Sequence, residues 1–285
     1  MHKTKIIITT CAQWPDVSTS DQLFVEALTK RGFSVESAPW NGDQAQFHKA
    51  DIVVLRSNWD YHLDPGNFVQ WLDEVAKQKT IFNKPSLVKW NLNKKYIFEL
   101  MDAGVRIPKT YVVKAEHKPI SEKLVSLGWE LAVIKPLVGA SGHNVEIINC
   151  SEKGDLARKV STFLNENIML QEFIPEIKNG EISAVFFNGT FSHAVLKKPA
   201  PGDFRSNGQH NATRESVYIQ ENILKQVANV LTTLPETPLY ARVDVVLRGD
   251  KAIIMELELN EPHLFLDFDS QASERFADAL VSRLT

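Results

Sequence analysis

Two segments late in the chain, Tyr240-Ala-Arg-Val-Asp-Val-Val246 and Ile254-Met-Glu-Leu-Glu-Leu-Asn260, restrict its folding more than any other stretch. Strand side chains alternate between faces, so Glu256, Glu258 and Asn260 share one side while Met255, Leu257 and Leu259 take the other. The apolar side must be covered. The acidic side then holds neighbouring like charges, which destabilise a ribbon unless a cation lies between them. Arg248-Gly-Asp-Lys251 reads as a hairpin turn that brings Arg242 and Asp244 to the glutamate side. Hard oxygen donors without His or Cys point to magnesium, with manganese as the other cation of that class. For an E-x-E taken alone, an edge hairpin with solvated acids is the plainer reading; the rest of the chain shifts the weight to the metal.

Composition narrows the partners. The 285 residues are 44% apolar and 24% charged, enough for two or three compact units, and the net charge of −3 provides no basic field for nucleic acid. Anionic small molecules must therefore be held by local groups. Cys11 and Cys150 are too few for a disulfide framework or a thiolate metal site, and no apolar run has the length of a signal segment or membrane span. The expectation is a cytoplasmic protein with small-molecule substrates and no nucleic-acid or membrane partner; a homodimer is compatible with it.

Along the chain, Lys5–Thr10 is a β-branched run of the kind buried in parallel sheets. A helix follows, with Ser20 or Asp21 as its cap and Gly32 as its stop. Asp51–Leu55 reads as a second strand, Phe68, Trp71, Leu72 and Val75 mark a second helix, and Thr80–Phe82 a short strand. This alternation makes the chain up to about residue 88 an open α/β unit. Beyond a helix running from Asn93 to Gly104, strands come in pairs: Leu131–Lys135 with Val145–Ile148, and Glu181–Phe187 with Thr190–Leu196 across Asn188-Gly189. Helices at about 219–234 and 270–284 flank the acidic ribbon. The fold class is α/β followed by α+β.

Leu131-Ala-Val-Ile-Lys-Pro-Leu-Val-Gly-Ala-Ser-Gly142 carries a second chemical signal. Lys135 leaves an apolar strand into a loop of small residues whose backbone N–H groups can approach an anion. The glycine spacing fits neither a P-loop nor a dinucleotide fingerprint. Taken by itself, the loop is an ordinary hairpin connection. Met169-Leu-Gln-Glu-Phe-Ile-Pro175 ends a strand at a proline, leaving backbone groups free for a ligand edge.

The succession of Trp90-Asn-Leu-Asn-Lys-Lys-Tyr96, the Lys135 strand and loop, Gln171-Glu-Phe-Ile174, Asp203-Phe-Arg-Ser-Asn207 and the paired acidic strands resembles the ATP-grasp ligases. Within them it is similar to the glutathione-synthetase-like and ribosomal-protein glutamate ligase branch. Arg56-Ser-Asn-Trp-Asp-Tyr61 and Glu261-Pro-His-Leu-Phe265 resemble the subgroup containing the O-ureido-serine cyclo-ligase. The resemblance implies an ATP-grasp fold with an N-terminal open α/β (pre-ATP-grasp) cap at 1–88, a central lid subdomain at 89–174 and a C-terminal subdomain at 175–285.

It also implies roles. Lys94, with Lys95 as the substitute, and Lys135 would contact the ATP phosphates, under a loop of Gly139, Ala140, Ser141 and Gly142. Glu172, Phe173 and Ile174 would hold the adenine and Glu181 the ribose. Asp244, Glu256 and Glu258 would bind the metal, with Asn260 as the alternative amide ligand. Arg205 and Arg242 match groups that clamp the transferring phosphoryl and the oxyanion. Arg56, Asp60 and His263 are candidate substrate contacts near the ends of strands, where open α/β sheets place ligands. The implied activity is ATP- and Mg2+-dependent: a carboxylate of an amino-acid-like substrate is activated as an acyl phosphate and joined to an amine, releasing ADP and phosphate. Ring closure of an amino-acid derivative is the alternative within enzymes. A nucleotide-binding regulatory module without turnover is the alternative outside them.

Overall fold

The computed structural model describes residues 3–140, 142–149, 152–163, 166–200, 202–203 and 211–284. The first sheet holds four parallel strands: β1 (Lys5–Thr10), β2 (Ser34–Pro39), β3 (Ile52–Val54) and β4 (Thr80–Phe82), ordered β2-β1-β3-β4. Its helices are α1 (Thr19–Lys30), α2 (Ala45–His48) and α3 (Pro65–Ala76). β2 lies at the edge and lacks the apolar run that marks β1, so its Ser-Val-Glu-Ser-Ala-Pro sequence does not announce a strand. The cap of α1 is Ser18, whose side chain accepts from the Asp21 N–H, rather than Ser20 or Asp21. Both of those are buried for other reasons: the Ser20 hydroxyl accepts from the Leu266 N–H and Asp21 pairs with Arg56.

Helix α4 (Pro85–Leu92), not read from the sequence, precedes α5 (Tyr96–Asp102), which is the helix expected from Asn93 to Gly104. A four-stranded antiparallel sheet follows, made of β5 (Thr110–Lys114), β6 (Leu131–Pro136), β7 (Glu146–Asn149) and β8 (Asn167–Glu172) in the order β5-β8-β6-β7. It is backed by α6 (His117–Leu127) and α7 (Lys153–Val160).

The third sheet contains β9 (Glu181–Phe187), β10 (Thr190–Lys198), β11 (Thr213–Ser216), β12 (Tyr240–Arg248) and β13 (Lys251–Glu258), ordered β11-β10-β9-β12-β13 and antiparallel throughout. Its helices are α8 (Glu221–Thr232) and α9 (Ala272–Val281). One face buries Ile182, Ala184, Val243 and Val245 with Leu87, Ile97 and Leu100 of α4 and α5, and with α8. The opposite face is split along its length. Val185, Phe187, Val195 and Tyr240 pack on the first sheet, α1 and α9, while Glu181, Arg242 and Asp244 continue the same rows beyond that cover. The acidic site therefore opens where the N-terminal unit stops shielding the sheet.

Packing fixes the N-terminal unit firmly. Phe24 of α1 stacks on Phe276 of α9 with ring centroids 3.8 Å apart, and Arg31 pairs with Glu274 at 2.6 Å. Asn83 uses its whole amide: it accepts from the Leu239 N–H at 2.6 Å and donates to the carbonyls of Tyr240 and Leu259 at 2.9 and 2.8 Å. These groups are buried and have no access to replacement water. Asn83→Ala is expected to lower the unfolding free energy by about 2–4 kcal/mol, measured by urea denaturation; a loss within experimental error would show that the junction does not depend on this amide.

Candidate functional site

A cleft of about 600 Å³ lies between the three sheets. Asp244 and Arg242 stand opposite Glu256 and Glu258 respectively in the β12–β13 register, as expected of the hairpin. A bulge follows Asp244: Val245 pairs with Ile254, leaving Met255 without a partner. Met255 consequently lines the cleft instead of joining Leu257 in the opposite core, because an extra residue locally breaks the alternation. Leu257 and Leu259 are buried as expected.

Oxygen atoms of Asp244, Glu256 and Glu258 lie within 4.8 Å of one another. This is a set of hard donors with no thiol or imidazole in it, and it fits a magnesium-class cation. The cluster is laced by cations of the chain itself. Arg242 forks onto Asp244 with both contacts at 3.0 Å and also reaches Glu258. Lys94 pairs with Glu256, and Lys197 bridges Glu181 at 2.7 Å and Asp244 at 3.1 Å. The Ser183 hydroxyl donates to Asp244 at 2.6 Å.

These contacts separate the protonation equilibria. Burial opposes charge on Asp244, but Arg242 and Lys197 overcome it and hold the carboxyl well below the usual range. Burial likewise disfavours ionised Glu256, and Lys94 and Lys135 outweigh it, so its pKa is lowered. Glu258 behaves differently: burial pushes it up to about 7, with Arg242 offsetting only part and Glu256 adding to the rise. Lys135 is driven down to about 8 by burial, its ammonium donating, among the described residues, to the Gln171 side-chain oxygen alone, at 3.1 Å. Burial also lowers His263 to about 4, leaving it neutral.

The other end of the cleft is apolar, with Val133, Phe173, Ile174, Ile177 and Met255 forming its walls. The backbone there is tied to β5: the Glu172 N–H donates to the Lys109 carbonyl at 2.8 Å. Between the two ends runs the loop of Gly139, Ala140 and Gly142. A Cβ at Gly139 would stand 2.8 Å from Pro136 Cγ, and Gly142 adopts a φ of 71°, so both positions favour glycine. The Lys94 N–H donates to the Leu137 carbonyl at 2.8 Å, which fixes the loop entrance next to that lysine.

The structure thus gathers Lys94, Lys135, Gly139, Ala140, Gly142, Glu172, Phe173, Ile174, Glu181, Arg242, Asp244, Glu256, Glu258 and His263 around one cleft. Lys95 is exposed and does not line it. Ser141 and Arg205 lie outside the described residues, as do most of the Asp203–Asn207 segment, His210 and Cys150.

Three expected residues are placed elsewhere. Arg56 is buried behind the cleft, where its Nε donates to Asp21 at 3.0 Å and its Nη2 to the Pro262 carbonyl at 2.7 Å. Asp60 accepts from Trp40 and Asn41 and faces a separate hollow of the N-terminal unit. Asn260 follows the end of β13; its side-chain oxygen accepts from Asn58 at 2.9 Å, so it is turned into the junction rather than towards the three acids.

Several lining residues had only weak sequence signals. Lys197 and Lys198 are separated by strand alternation alone: Lys197 is buried opposite Glu181, and Lys198 is exposed. Tyr96 and Gln171 act through hydrogen bonds to the Leu257 N–H and to Lys135. Glu261, Trp59 and Tyr61 meet at the cleft's remaining corner only through tertiary folding.

Comparison with known families fits this geometry. The family of prokaryotic glutathione synthetase ATP-grasp domains matches residues 96–265. The chain belongs to the ATP-grasp ligases. It is accordingly an ATP-dependent carboxylate–amine ligase. The family described as the N-terminal domain of D-cycloserine synthetase DcsG matches residues 6–83 of this ATP-grasp chain. The cycloserine biosynthesis protein DcsG of Streptomyces lavendulae is 28% identical, over 91% of this chain and 92% of its own length. A glutathione synthetase of Synechococcus elongatus is 26% identical over 89% of this chain and 81% of its own. In fold, the crystal structure of D-cycloserine synthetase DcsG superposes with a TM-score of 0.86 at 24% identity, covering 99% of this chain and 100% of that one. The D-alanine–D-alanine ligase of Bacillus anthracis gives 0.70 at 16% identity, covering 98% and 96%.

Lys135 yields a pH prediction for an ATP-grasp ligase. A polyanion favours the charged lysine and raises its pKa, so ATP binding near pH 8 should take up protons, and affinity should fall as pH rises from about 7 to 9. Calorimetry in buffers of different ionisation enthalpy measures the uptake; Lys135→Met should remove it. Uptake retained in that variant would assign the proton to another group.

Proposed function

We propose that this ligase binds Mg-ATP along the cleft and activates a carboxylate of an amino-acid-like substrate at the corner beside Arg242. The observation that carries this reading is the grouping of Asp244, Glu256 and Glu258 within 4.8 Å, facing the same cavity as Lys94 and Lys135. Residues 1–88 serve as a cap, 89–174 as a lid and 175–285 as the catalytic body. The apolar end formed by Phe173, Ile174 and Met255 takes the adenine, and Glu181 lies beside the ribose. Lys94 and Lys135 are point charges for the phosphates, with the Gly139–Gly142 loop over them. When bound to the three carboxylates, Mg2+ neutralises charge that develops on the phosphates.

The residues of the chain then orient two displacements. A substrate carboxylate oxygen attacks the terminal phosphorus and ADP leaves; an amine next attacks the acyl carbon, phosphate leaves, and the amide forms with loss of a proton from nitrogen. Arg242 presents a guanidinium already fixed by Asp244 to the oxyanion of the second step. Lys94 and Arg242 hold the acidic oxygens in the absence of ligand, and phosphate oxygens supply them with alternative partners. The family resemblance implies the same clamping role for Arg205, which lies outside the described residues.

Intramolecular ring closure is the second reading. It is favoured by the relation to the cycloserine biosynthesis protein, which runs through the cap as well as the body. One amino-acid derivative then suffices for ADP release, whereas intermolecular ligation requires a separate amine.

Substrate-dependent ADP release is expected with an amino-acid-like acid, and Glu256→Gln should abolish it. Arg242→Met should lower kcat by about a hundredfold or more. If a broad panel of such acids elicits no ADP while nucleotide still binds, the assignment of this cleft to acyl-phosphate chemistry fails.

A further inference from the structure

The acids of the cleft's polar end are unequal. Glu181 and Asp244 meet Lys197, Asp244 and Glu258 meet Arg242, and Glu256 meets Lys94. Glu261 lines the same cavity and is 9% exposed, yet its carboxylate has no hydrogen-bond or ion-pair partner on any other described residue, its one hydrogen bond coming from its own backbone N–H. A carboxylate in so little water costs stability unless something compensates it.

The segment carrying Glu261 is held from both sides. Its own carbonyl accepts from Trp59 Nε1 at 3.1 Å, the next carbonyl, of Pro262, accepts from Arg56 at 2.7 Å, and that of His263 accepts from Arg242 at 3.2 Å. Three consecutive carbonyls are thereby fixed by the cap and by β12. Arg56, itself anchored on Asp21, is a positioning residue for this segment rather than a ligand contact. Trp59, Tyr61 and His263 line the same cavity and bring no positive charge, the imidazole being neutral above about pH 4, and the Lys94 ammonium, which acts on Glu261 through space, is itself paired with Glu256.

We propose that Glu261 is the specificity residue for a substrate ammonium group, so that the acid activated beside Arg242 carries a free amino group. This deepens the reading of the cleft as a ligase site and rests on it. A fixed, unpaired carboxylate in an aromatic corner is preorganised for a cation that arrives with the ligand. A hydroxyl in place of the ammonium gives Glu261 no charge to pair with.

The test compares proteinogenic amino acids of both hands with the matching 2-hydroxy acids. Binding is measured by calorimetry with a non-hydrolysable ATP analogue and Mg2+, and turnover by ADP release. The unaltered protein should bind amino acids about tenfold or more tightly than their hydroxy counterparts, the worth of a charge-assisted hydrogen bond. Glu261→Gln should erase that preference by raising KM for the amino acid, while KM for ATP and the Mg2+ dependence stay within about twofold; Glu261→Asp should restore part of it. A shifted Mg2+ dependence would reassign Glu261 to the metal. The proposal is also overturned if no amino acid in the panel binds, or if the preference survives in Glu261→Gln. Loss of ADP release with amine preference intact in binding would instead count against the ligase reading.

Discussion

The fork of Arg242 on Asp244 is the contact around which the site is organised. Two parallel hydrogen bonds at 3.0 Å lock a guanidinium to a carboxylate on the same face of one strand, and the same guanidinium reaches Glu258 on the neighbouring strand. A buried ion pair of this kind is weak support for stability, since desolvation consumes much of its Coulombic gain. Its consequence is positional. Asp244 remains ionised, Lys197 is drawn in as a second cation, and Glu181 is carried with it. Four side chains from three strands are thus oriented before any ligand arrives, which is the condition for electrostatic catalysis without reorganisation.

The surrounding fold explains why such a network sits at the edge of a core. The rows that carry Arg242, Asp244, Glu181 and Ser183 also carry Tyr240, Val185 and Phe187, one to three same-face steps away. Those neighbours are sealed by the N-terminal sheet, α1 and α9. The Tyr240 hydroxyl lies 2.6 Å from the Leu55 carbonyl and 2.8 Å from that of Asn260, and Asn83 stitches β4 to the start of β12. The N-terminal unit is therefore both a hydrophobic lid for half a sheet face and the wall that gives the other half its low-dielectric rim. The same contacts carry Trp59 and Arg56 to the backbone of residues 261 and 262, linking cap packing to the geometry of the corner that holds Glu261.

Much of this could be read from the residues. The strand period made Glu256 and Glu258 neighbours, the Arg248–Lys251 turn set Arg242 and Asp244 against them, and the glycine-rich exit from β6 identified Lys135. Where the reading went astray, a specific competitor acted. The bulge after Asp244 sent Met255 into the cleft against strict alternation. Ser18 outcompeted Ser20 and Asp21 as the cap of α1 because tertiary partners claimed both of the latter. Arg56, Asp60 and Asn260 carry the right chemistry for ligands, but polar partners inside the protein had already engaged them.

Local pattern by itself determined the strand pairs at 131–148 and 181–196, the acidic face of the late hairpin and the family to which the chain belongs, since periodicity and motif order are properties of neighbours along the backbone. Tertiary structure decided which charges are paired, because pairing depends on distances between β9, β10, β12, the α4–α5 connection and the cap, none of them adjacent in sequence. It left Glu261 without a partner on any other described residue while pairing Glu258 three residues earlier, and it turned Arg56 from a prospective ligand into a brace. Solvent exclusion and long-range approach set those outcomes, and neither is written in any single segment.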